Sequence, residues 1–306
     1  MHNDFSKYLK DLLIDRFAEE VKMKKLTTYK IGGPAQFYAE PVNRDELIAI
    51  LKACRDNNIN YKVIGSGSNL LVSDNGYNGM IINLRQMKKT EIAFGKVYAQ
   101  CGITLGRLAV LTKDNYLSGF ENLSGIPGTV GGALAINAGS LGSEISDHVL
   151  FVDVLTEDFN KLRIYKSDLK FGYRSSNLND YIITGAQFQL NDGSIEEISK
   201  KMIEGQKWRQ TNQPLNLPSC GSVFKKVGDK SAGYYIDRSG LKGVRTGGAI
   251  VSVKHANFIL NYNNASSSDV LNLIEKIKET VLKKYNVMLE TELIMVGFDE
   301  KEKREY

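Results

Sequence analysis

Apolar residues recur along the chain at two spacings, which predict both helices and strands. Helical spacing predicts helices over 6–20, 45–57, 104–115, 194–210 and 267–285. Ser266, three residues before Asp269, is a cap signature for the last of them. Runs rich in β-branched and aromatic residues predict strands over 35–39, 61–64, 80–84, 96–100, 149–155, 162–165, 182–190, 250–253, 258–260 and 287–296. The mixture predicts an α+β fold.

The character of these elements changes along the chain and predicts consecutive parts. An N-terminal helix fills 1–22, a small unit with short connections follows over 23–89, and 90–192 is mainly antiparallel. The turn signal Asn191-Asp192-Gly193 ends that unit and opens a third one, 193–288. Residues 289–306 comprise a final strand and a polar tail, which we expect to fray.

Composition narrows the class of protein. Hydrophobic residues make up 42% of the 306 residues and charged residues 25%, as in ordinary globular proteins, and the length suits two or three cores. The chain contains neither a membrane-length apolar run nor a secretory signal at its start, so we expect a cytoplasmic location. The net charge of +5 is scattered, which disfavours a nucleic-acid partner and suits a small anionic substrate. We expect a monomer.

Cysteine and histidine usage argues against two kinds of site. The three cysteines are too dispersed for a disulfide framework, and the three histidines lack metal-ligand spacing, so no metal is expected. The residues concerned are Cys54, Cys101, Cys220, His2, His148 and His255.

A glycine-rich loop, Gly65-Ser66-Gly67-Ser68-Asn69, directly follows a predicted strand. Glycines free the backbone to expose successive N–H groups that suit phosphate oxygens. Leu70 stands where a dinucleotide fingerprint has its third glycine, and no helix follows, so the loop is not of that type. The alternative is a tight turn between strands.

Further clusters of small residues favour binding over a simple turn. Gly125 to Ala133, Asn137-Ala138-Gly139 and Ile31-Gly32-Gly33 would let the backbone approach a flat ligand, although close backbone packing is the alternative. Together they predict an extended cofactor held between two lobes. The candidate cofactor-binding residues are Ile31, Gly32, Gly33, Gly65, Ser66, Gly67, Ser68, Asn69, Leu70, Pro127, Gly128, Thr129, Gly131, Gly132, Asn137, Ala138 and Gly139.

An ordered set of motifs spanning nearly the whole chain resembles the UDP-N-acetylenolpyruvoylglucosamine reductase family. Besides the glycine clusters, the matching stretches are Thr28 to Gly33, Phe171 to Ser176, Cys220 to Lys225, Gly240 to Gly243, Lys254 to Phe258 and Leu289 to Leu293. Any one of them is weak, but the ordered set is specific.

The resemblance implies a two-lobed FAD-binding fold of the vanillyl-alcohol-oxidase type over 23–192, followed by an α/β substrate-binding domain over 193–288. It implies noncovalent FAD, NADPH as the electron donor, and reduction of an enolpyruvyl ether in peptidoglycan precursor synthesis. Leu190 meets the helix start at Ser194 without room for an inserted tyrosine loop, so the chain resembles the family's shorter type. It departs from the family at Lys30, which replaces an arginine, and at Lys226-Val227, which replaces Asn-Pro.

The resemblance also assigns the chemistry, which needs a cation, a proton donor and an acidic group. Arg174 matches the family's arginine, Ser222 its proton donor and Glu292 its acidic residue. Strand alternation would place Glu292 among apolar neighbours and raise its pKa, with Glu290 as a more exposed rival. Cys220 is the competing nucleophile, although a structural role is favoured for it.

Candidates for binding the substrate diphosphate are Arg209, Gln213 and Lys225. Trp208 is expected to pack, and His255 either faces the flavin or is structural. Two other functions stay open on the residues alone: another FAD oxidase on the same scaffold, and a flavin- or nucleotide-sugar-binding protein without activity.

Overall fold

The computed structural model describes residues 2–299, so 300–306 of the tail expected to fray lie outside the described residues. The helices are α1 His2–Leu13, α2 Arg44–Asp56, α3 Leu105–Asp114, α4 Val130–Ala135, α5 Ile195–Asn212, α6 Ala232–Arg238 and α7 Ser267–Tyr285. The strands of the first half are β1 Phe17–Lys22, β2 Pro34–Ala39, β3 Tyr61–Ile64, β4 Leu70–Val72, β5 Tyr77–Asn83, β6 Thr90–Ala93, β7 Lys96–Gln100, β8 Leu117–Ser118, β9 Gly139–Ser140 and β10 Ser143–Glu144. Those of the second half are β11 Val149–Leu155, β12 Lys161–Tyr165, β13 Phe171–Gly172, β14 Ser175–Ser176, β15 Ile182–Gln189, β16 Asn191–Asp192, β17 Arg245–Thr246, β18 Ala249–Val251, β19 Ile259–Asn261 and β20 Ile294–Val296.

These elements group into two compact units that interleave along the chain. The first unit comprises residues 2–19, Phe37–Ser66 and Gly79–Trp208. The second comprises Glu20–Gln36, Gly67–Asn78 and the residues from Arg209 onward. The ranges predicted from the sequence follow chain order, whereas each observed unit is assembled from separated segments.

The first unit is built around an antiparallel five-stranded sheet of order β12-β11-β15-β7-β6. This confirms the antiparallel character predicted for 90–190. Its inward positions, such as Val97, Val152 and Phe188, join one apolar cluster with residues from α1, α2 and α3. Asn191–Asp192 does not form the predicted turn, because these residues pair as β16 with β8.

The predicted N-terminal helix over 6–20 is wrong in its second half. The helix α1 ends at Leu13, and Ile14 adopts a left-handed φ of 54° that starts a short 3₁₀ turn. Phe17 then begins β1, where its ring stacks on Phe37 at 6.2 Å between ring centres. The apolar spacing continued through residue 17 because Phe17 enters the same core from a strand.

The second unit contains the antiparallel sheet β17-β18-β19, the parallel pair β4 and β20, and the helices α6 and α7. The helix α7 begins and ends where predicted. Ser266 accepts from the Asp269 N–H, and the Asp269 carboxylate accepts from the Ser266 N–H, so the predicted cap is confirmed. The buried stripe of α7, including Leu273, Ile274 and Ile277, forms the centre of this unit's core.

The final strand is much shorter than predicted, since only Ile294–Val296 belongs to β20. Residues 289–293 instead run beside 223–225, with one isolated bridge between Phe224 and Thr291. Ile294 is 38% exposed whereas Val296, expected on the same face, is buried, so the predicted apolar face shared with Glu292 is not formed.

Candidate functional site

The first residues of the glycine-rich loop lie in the first unit and are shaped by close packing. A Cβ atom on Gly65 would lie 2.3 Å from Thr129 Oγ1, so only glycine fits at that position. Thr129 itself caps α4 by accepting from the Gly132 N–H at 3.4 Å. Gly65 therefore lets the loop pass directly over the start of α4.

The rest of the loop, from Gly67 onward, lies in the second unit and offers unused donors. Gly67 has a left-handed φ of 63°, and a Cβ there would meet the Leu26 carbonyl oxygen at 2.3 Å. Among residues 2–299, no acceptor receives the N–H groups of Gly67, Ser68 or Asn69. The Asn69 side chain donates to the Glu292 carbonyl at 3.0 Å. The segment thus presents consecutive N–H groups of the kind that bind anions.

The second glycine cluster combines close packing with open space. The Gly131 N–H donates to the Cys101 carbonyl at 2.8 Å, and a Cβ on Gly131 would lie 2.8 Å from Cys101 Cβ. A Cβ on Gly132 would have no atom nearer than Thr129 Oγ1, at 3.6 Å. Packing therefore requires glycine at 131, whereas the surface beside Gly132 has room for a ligand.

Asn137 carries a buried acceptor without a donor. Its side chain is fully buried, and its Nδ2 donates to Glu144 Oε2 at 2.7 Å and to the Gly172 carbonyl at 3.1 Å. Its Oδ1 has no hydrogen-bond partner within the described chain. Leaving such an atom unmatched costs about 1–3 kcal/mol, which a bound donor would recover.

Arg174 is held in the turn of a small hairpin next to Asn137. The strands β13 and β14 pair Gly172 with Ser175, so Tyr173 and Arg174 form a two-residue turn, with Arg174 at a left-handed φ of 52°. The Arg174 Nη2 donates to the Gly139 carbonyl at 3.2 Å. The Asn137 bond to Gly172 and this contact fix the hairpin against 137–139, so the arginine predicted from the sequence is held in place.

Ser222 lies in a turn, and the two residues that follow it are held by hydrogen bonds to Asn257. The Val223 N–H donates to the Asn257 carbonyl at 2.8 Å. The Asn257 side chain bonds Phe224 twice, accepting from its N–H at 3.0 Å and donating to its carbonyl at 2.8 Å. Sequence reasoning did not single out Asn257, although an asparagine within the apolar run Ala256 to Leu260 is a signal for such a buried polar role.

Glu292 lies beside this turn, because its N–H donates to the Val223 carbonyl at 2.8 Å. The backbone of Glu292 is therefore bonded to the residue that follows Ser222. Glu290, the rival, has 71% of its side chain exposed and pairs with Lys225, so it is the more exposed of the two, as predicted.

Cys220 is buried, and burial raises the pKa of its thiol to about 12. A thiol of such high pKa is almost wholly protonated at neutral pH and is a poor nucleophile. This favours the structural role for Cys220.

Of the diphosphate candidates, Arg209 and Gln213 keep unused polar groups. Burial lowers the pKa of the Arg209 guanidinium, and no carboxylate or carbonyl among residues 2–299 pairs with it. Gln213 lies one turn on, its N–H donating to the Arg209 carbonyl at 2.8 Å, and its Oε1 is buried without a donor in the described residues. Gln213 also lines a cleft of about 560 Å³ with Leu217 and Tyr262. Lys225 is already paired with Glu290.

Trp208 and His255 were weaker candidates. Trp208 is 44% exposed. Burial lowers the pKa of His255, its ring packs edge-on against Phe258 at 4.8 Å, and its Nδ1 accepts from the Asn257 N–H at 3.3 Å. These contacts favour the structural interpretation of His255.

Residues 2–299 contain neither a metal-binding cluster nor a membrane-spanning helix. Within 2–299, no three or more His, Cys, Asp or Glu side chains are grouped so as to hold a metal ion. No helix in the same range is both long enough and apolar enough to cross a membrane.

Comparison with known proteins gives matches over both halves of the chain. Residues 35–160 match the family described as FAD binding domain. Residues 213–296 match the family described as UDP-N-acetylenolpyruvoylglucosamine reductase, C-terminal domain.

Whole proteins match over nearly their full length. UDP-N-acetylenolpyruvoylglucosamine reductase of Caldanaerobacter subterraneus subsp. tengcongensis is 42% identical, over 94% of this chain and 99% of that protein. The enzyme of the same name from Clostridium tetani is 38% identical, over 97% and 99%. The crystal structure of UDP-N-acetylenolpyruvylglucosamine reductase from Thermus caldophilus has a TM-score of 0.77 and 35% identity, covering 90% of this chain and 97% of that one.

These matches confirm the α+β class with a FAD-binding domain, and they confirm the resemblance drawn from the ordered motifs. The chain is accordingly an oxidoreductase with a FAD-binding domain. It belongs to the UDP-N-acetylenolpyruvoylglucosamine reductase family.

Proposed function

We propose that this chain reduces UDP-N-acetylglucosamine enolpyruvate to UDP-N-acetylmuramate, with NADPH as the electron donor and noncovalent FAD as the cofactor. Family membership supports the reaction, and the match to a FAD binding domain supports the cofactor. The observation that supports the mechanism is the hydrogen bond from the Glu292 N–H to the Val223 carbonyl, which ties the backbone of an acidic residue to the residue after Ser222.

Each unit, taken by itself, carries groups that fit FAD. In the first unit, the unmatched Asn137 Oδ1 suits a donor of the cofactor, and the open side of Gly132 suits close approach. In the second unit, the N–H groups of Gly67, Ser68 and Asn69 suit its diphosphate. When bound, FAD supplies the transfer of a hydride equivalent, which amino-acid side chains do not provide.

Ser222 is proposed to donate the proton. Addition of hydride to the β-carbon of the enolpyruvyl double bond leaves carbanion character on the α-carbon, next to the carboxylate. A strongly basic carbon of this kind can take a proton from the Ser222 Oγ when water is excluded. Glu292 is proposed to return a proton to the serine, which completes the cycle.

Arg174 is proposed to bind the substrate carboxylate and to stabilise the negative charge that develops on it. A guanidinium grips a carboxylate at two points and keeps its charge at any physiological pH. This role rests on the family motif, together with the hydrogen bond to Gly139 that fixes the turn.

Arg209 and Gln213 are proposed to bind the diphosphate of the UDP group. An unpaired, partly buried guanidinium binds phosphate oxygens well, because its desolvation has already occurred on folding. Lys225 receives less support, since Glu290 already neutralises its charge.

Replacing Ser222 with alanine separates the two half-reactions. We expect Ser222→Ala to leave flavin reduction by NADPH unchanged and to slow reoxidation of the reduced enzyme by the enolpyruvyl substrate by about 100-fold or more, the scale of lost general-acid catalysis. Anaerobic stopped-flow absorbance measures both steps. Equal slowing of both steps by Ser222→Ala would reject the role of the serine.

A further inference from the structure

Thr28 contacts two separate segments of the second unit. Its N–H donates to the Gly67 carbonyl at 3.2 Å, and its hydroxyl donates to the Ser219 carbonyl at 2.7 Å. The hydroxyl is also 3.5 Å from the Ser68 carbonyl, which is too long for a strong bond. One residue thus joins the loop that carries the unused N–H groups to the chain three residues before Ser222.

The N-terminal side of the Ser222 turn has few other restraints. The Pro218 carbonyl is held by the Asn261 N–H at 2.9 Å, and the side chain of Cys220 is buried. Gly221 follows at a left-handed φ of 86°, and a Cβ there would touch nothing within 4 Å. Its N–H reaches the Ser219 Oγ only at 3.5 Å.

The direction in which Ser222 points depends on the peptide planes on both sides of it. The Val223 N–H donates to the Asn257 carbonyl and fixes the plane between Ser222 and Val223, while the Glu292 N–H donates to the Val223 carbonyl and fixes the next plane, both at 2.8 Å. On the other side, the Ser219 carbonyl plane is fixed by the Thr28 hydroxyl alone among the bonds of the described residues. No packing at Gly221 would oppose a shift of this plane, so without the Thr28 bond the segment leading to Ser222 has more conformations available to it.

We propose that Thr28 is a positioning residue for Ser222, setting the orientation of its hydroxyl through the bond to the Ser219 carbonyl. This inference rests on the proposed function, because it assumes that Ser222 donates the proton. Through its N–H, Thr28 also bonds the Gly67 carbonyl. The same residue therefore fixes the position of the loop 67–69 relative to the segment that leads to Ser222.

Thr27 offers a matched control within the same segment. It is buried, and its hydroxyl donates to the Ile31 carbonyl at 3.0 Å, so it makes a bond of similar kind that does not involve Ser219. Thr27→Val and Thr28→Val each remove one hydroxyl-to-carbonyl bond while keeping the shape of the side chain. Thr28→Ser keeps the hydroxyl and removes only a methyl group.

Single-turnover kinetics of the holoenzyme test the proposal. We expect Thr28→Val to keep the rate of flavin reduction by NADPH and to slow reoxidation by UDP-N-acetylglucosamine enolpyruvate by about 10- to 100-fold, the scale expected when a reacting group is displaced. Thr28→Ser should restore the rate. Thr27→Val should lower the melting temperature and keep both rates.

A double variant separates this inference from the proposed function. In the Ser222→Ala background, Thr28→Val should slow reoxidation no further, since the group that it positions is gone. An additive loss there, a loss of both half-reactions in Thr28→Val, or an equal loss in Thr27→Val would overturn the role of Thr28. A wild-type rate in Ser222→Ala would instead overturn the proposed role of the serine.

Discussion

Arg209, Gln213 and Asn137 each hold a polar group partly or wholly away from water without a protein partner among residues 2–299. An isolated polar group of this kind destabilises the folded chain by about 1–3 kcal/mol. A bound ligand is one source of the missing partner, as is an ordered water molecule. At the scale of single residues, these polar groups without protein partners are the evidence for ligand binding that the structure adds to the sequence motifs.

Arg209 permits a test of the diphosphate site. Removing one charge-assisted hydrogen bond costs about 1.5–3 kcal/mol. At about tenfold per 1.4 kcal/mol, Arg209→Gln should therefore raise the KM for the UDP-enolpyruvyl sugar by about 10- to 100-fold. Steady-state kinetics with saturating NADPH measure it. Lys207→Gln, at an exposed lysine of the same helix, should leave KM unchanged, and an unchanged KM in Arg209→Gln would remove it from the site.

Elements with a strong periodic pattern and clear caps could be predicted closely from the sequence. The helix α7 and the strands β7 and β11 lie where predicted, because each buries a continuous stripe or an alternating face. The strand β3 also lies where predicted, with only Ile64 of its four residues buried. The limits of an element could not be predicted from the sequence where they depend on pairing with a distant segment. Of the strand predicted over 287–296, only Ile294–Val296 forms β20, because residues before it run beside 223–225 instead.

Short helices and the site itself were harder to predict. The helices α4 and α6 begin at the caps Thr129 and Ser231, but α4 is rich in glycine and α6 spans only 7 residues, too short for a clear period. Arg174, Ser222 and Glu292 were assigned through the ordered family motifs. No spacing rule could relate them, since the contacts around each are formed by residues far apart in sequence.

The glycine-rich loop yields a prediction at the scale of an element. Gly67 and Gly228 both adopt left-handed φ angles, 63° and 56°, but a Cβ would clash only at Gly67. We expect Gly228→Ala to cost about 1–2 kcal/mol from backbone strain. Gly67→Ala should cost about 1–3 kcal/mol more from overpacking and should purify with less flavin. Urea unfolding and the ratio of flavin to protein absorbance measure the two effects.

Full flavin content in Gly67→Ala would show that the loop does not approach the cofactor. A free energy of unfolding equal to that of Gly228→Ala would contradict the close contact with Leu26. The two readouts are independent, so the structural and the binding claims can fail separately.

At the scale of the whole molecule, the chain forms two units that interleave along the sequence. The FAD binding domain match covers 35–160, and the reductase C-terminal match covers 213–296. Relatives of the same family name match from end to end. One chain thus contains both a range that matches a FAD binding domain and a range that matches the reductase C-terminal domain.

Anaerobic absorbance spectroscopy of the purified protein tests the proposed reaction. We expect the protein to be yellow, its flavin band to be bleached by NADPH, and the band to return when UDP-N-acetylglucosamine enolpyruvate is added in the absence of oxygen, with UDP-N-acetylmuramate as the product. A band that stays bleached until oxygen is admitted would contradict it.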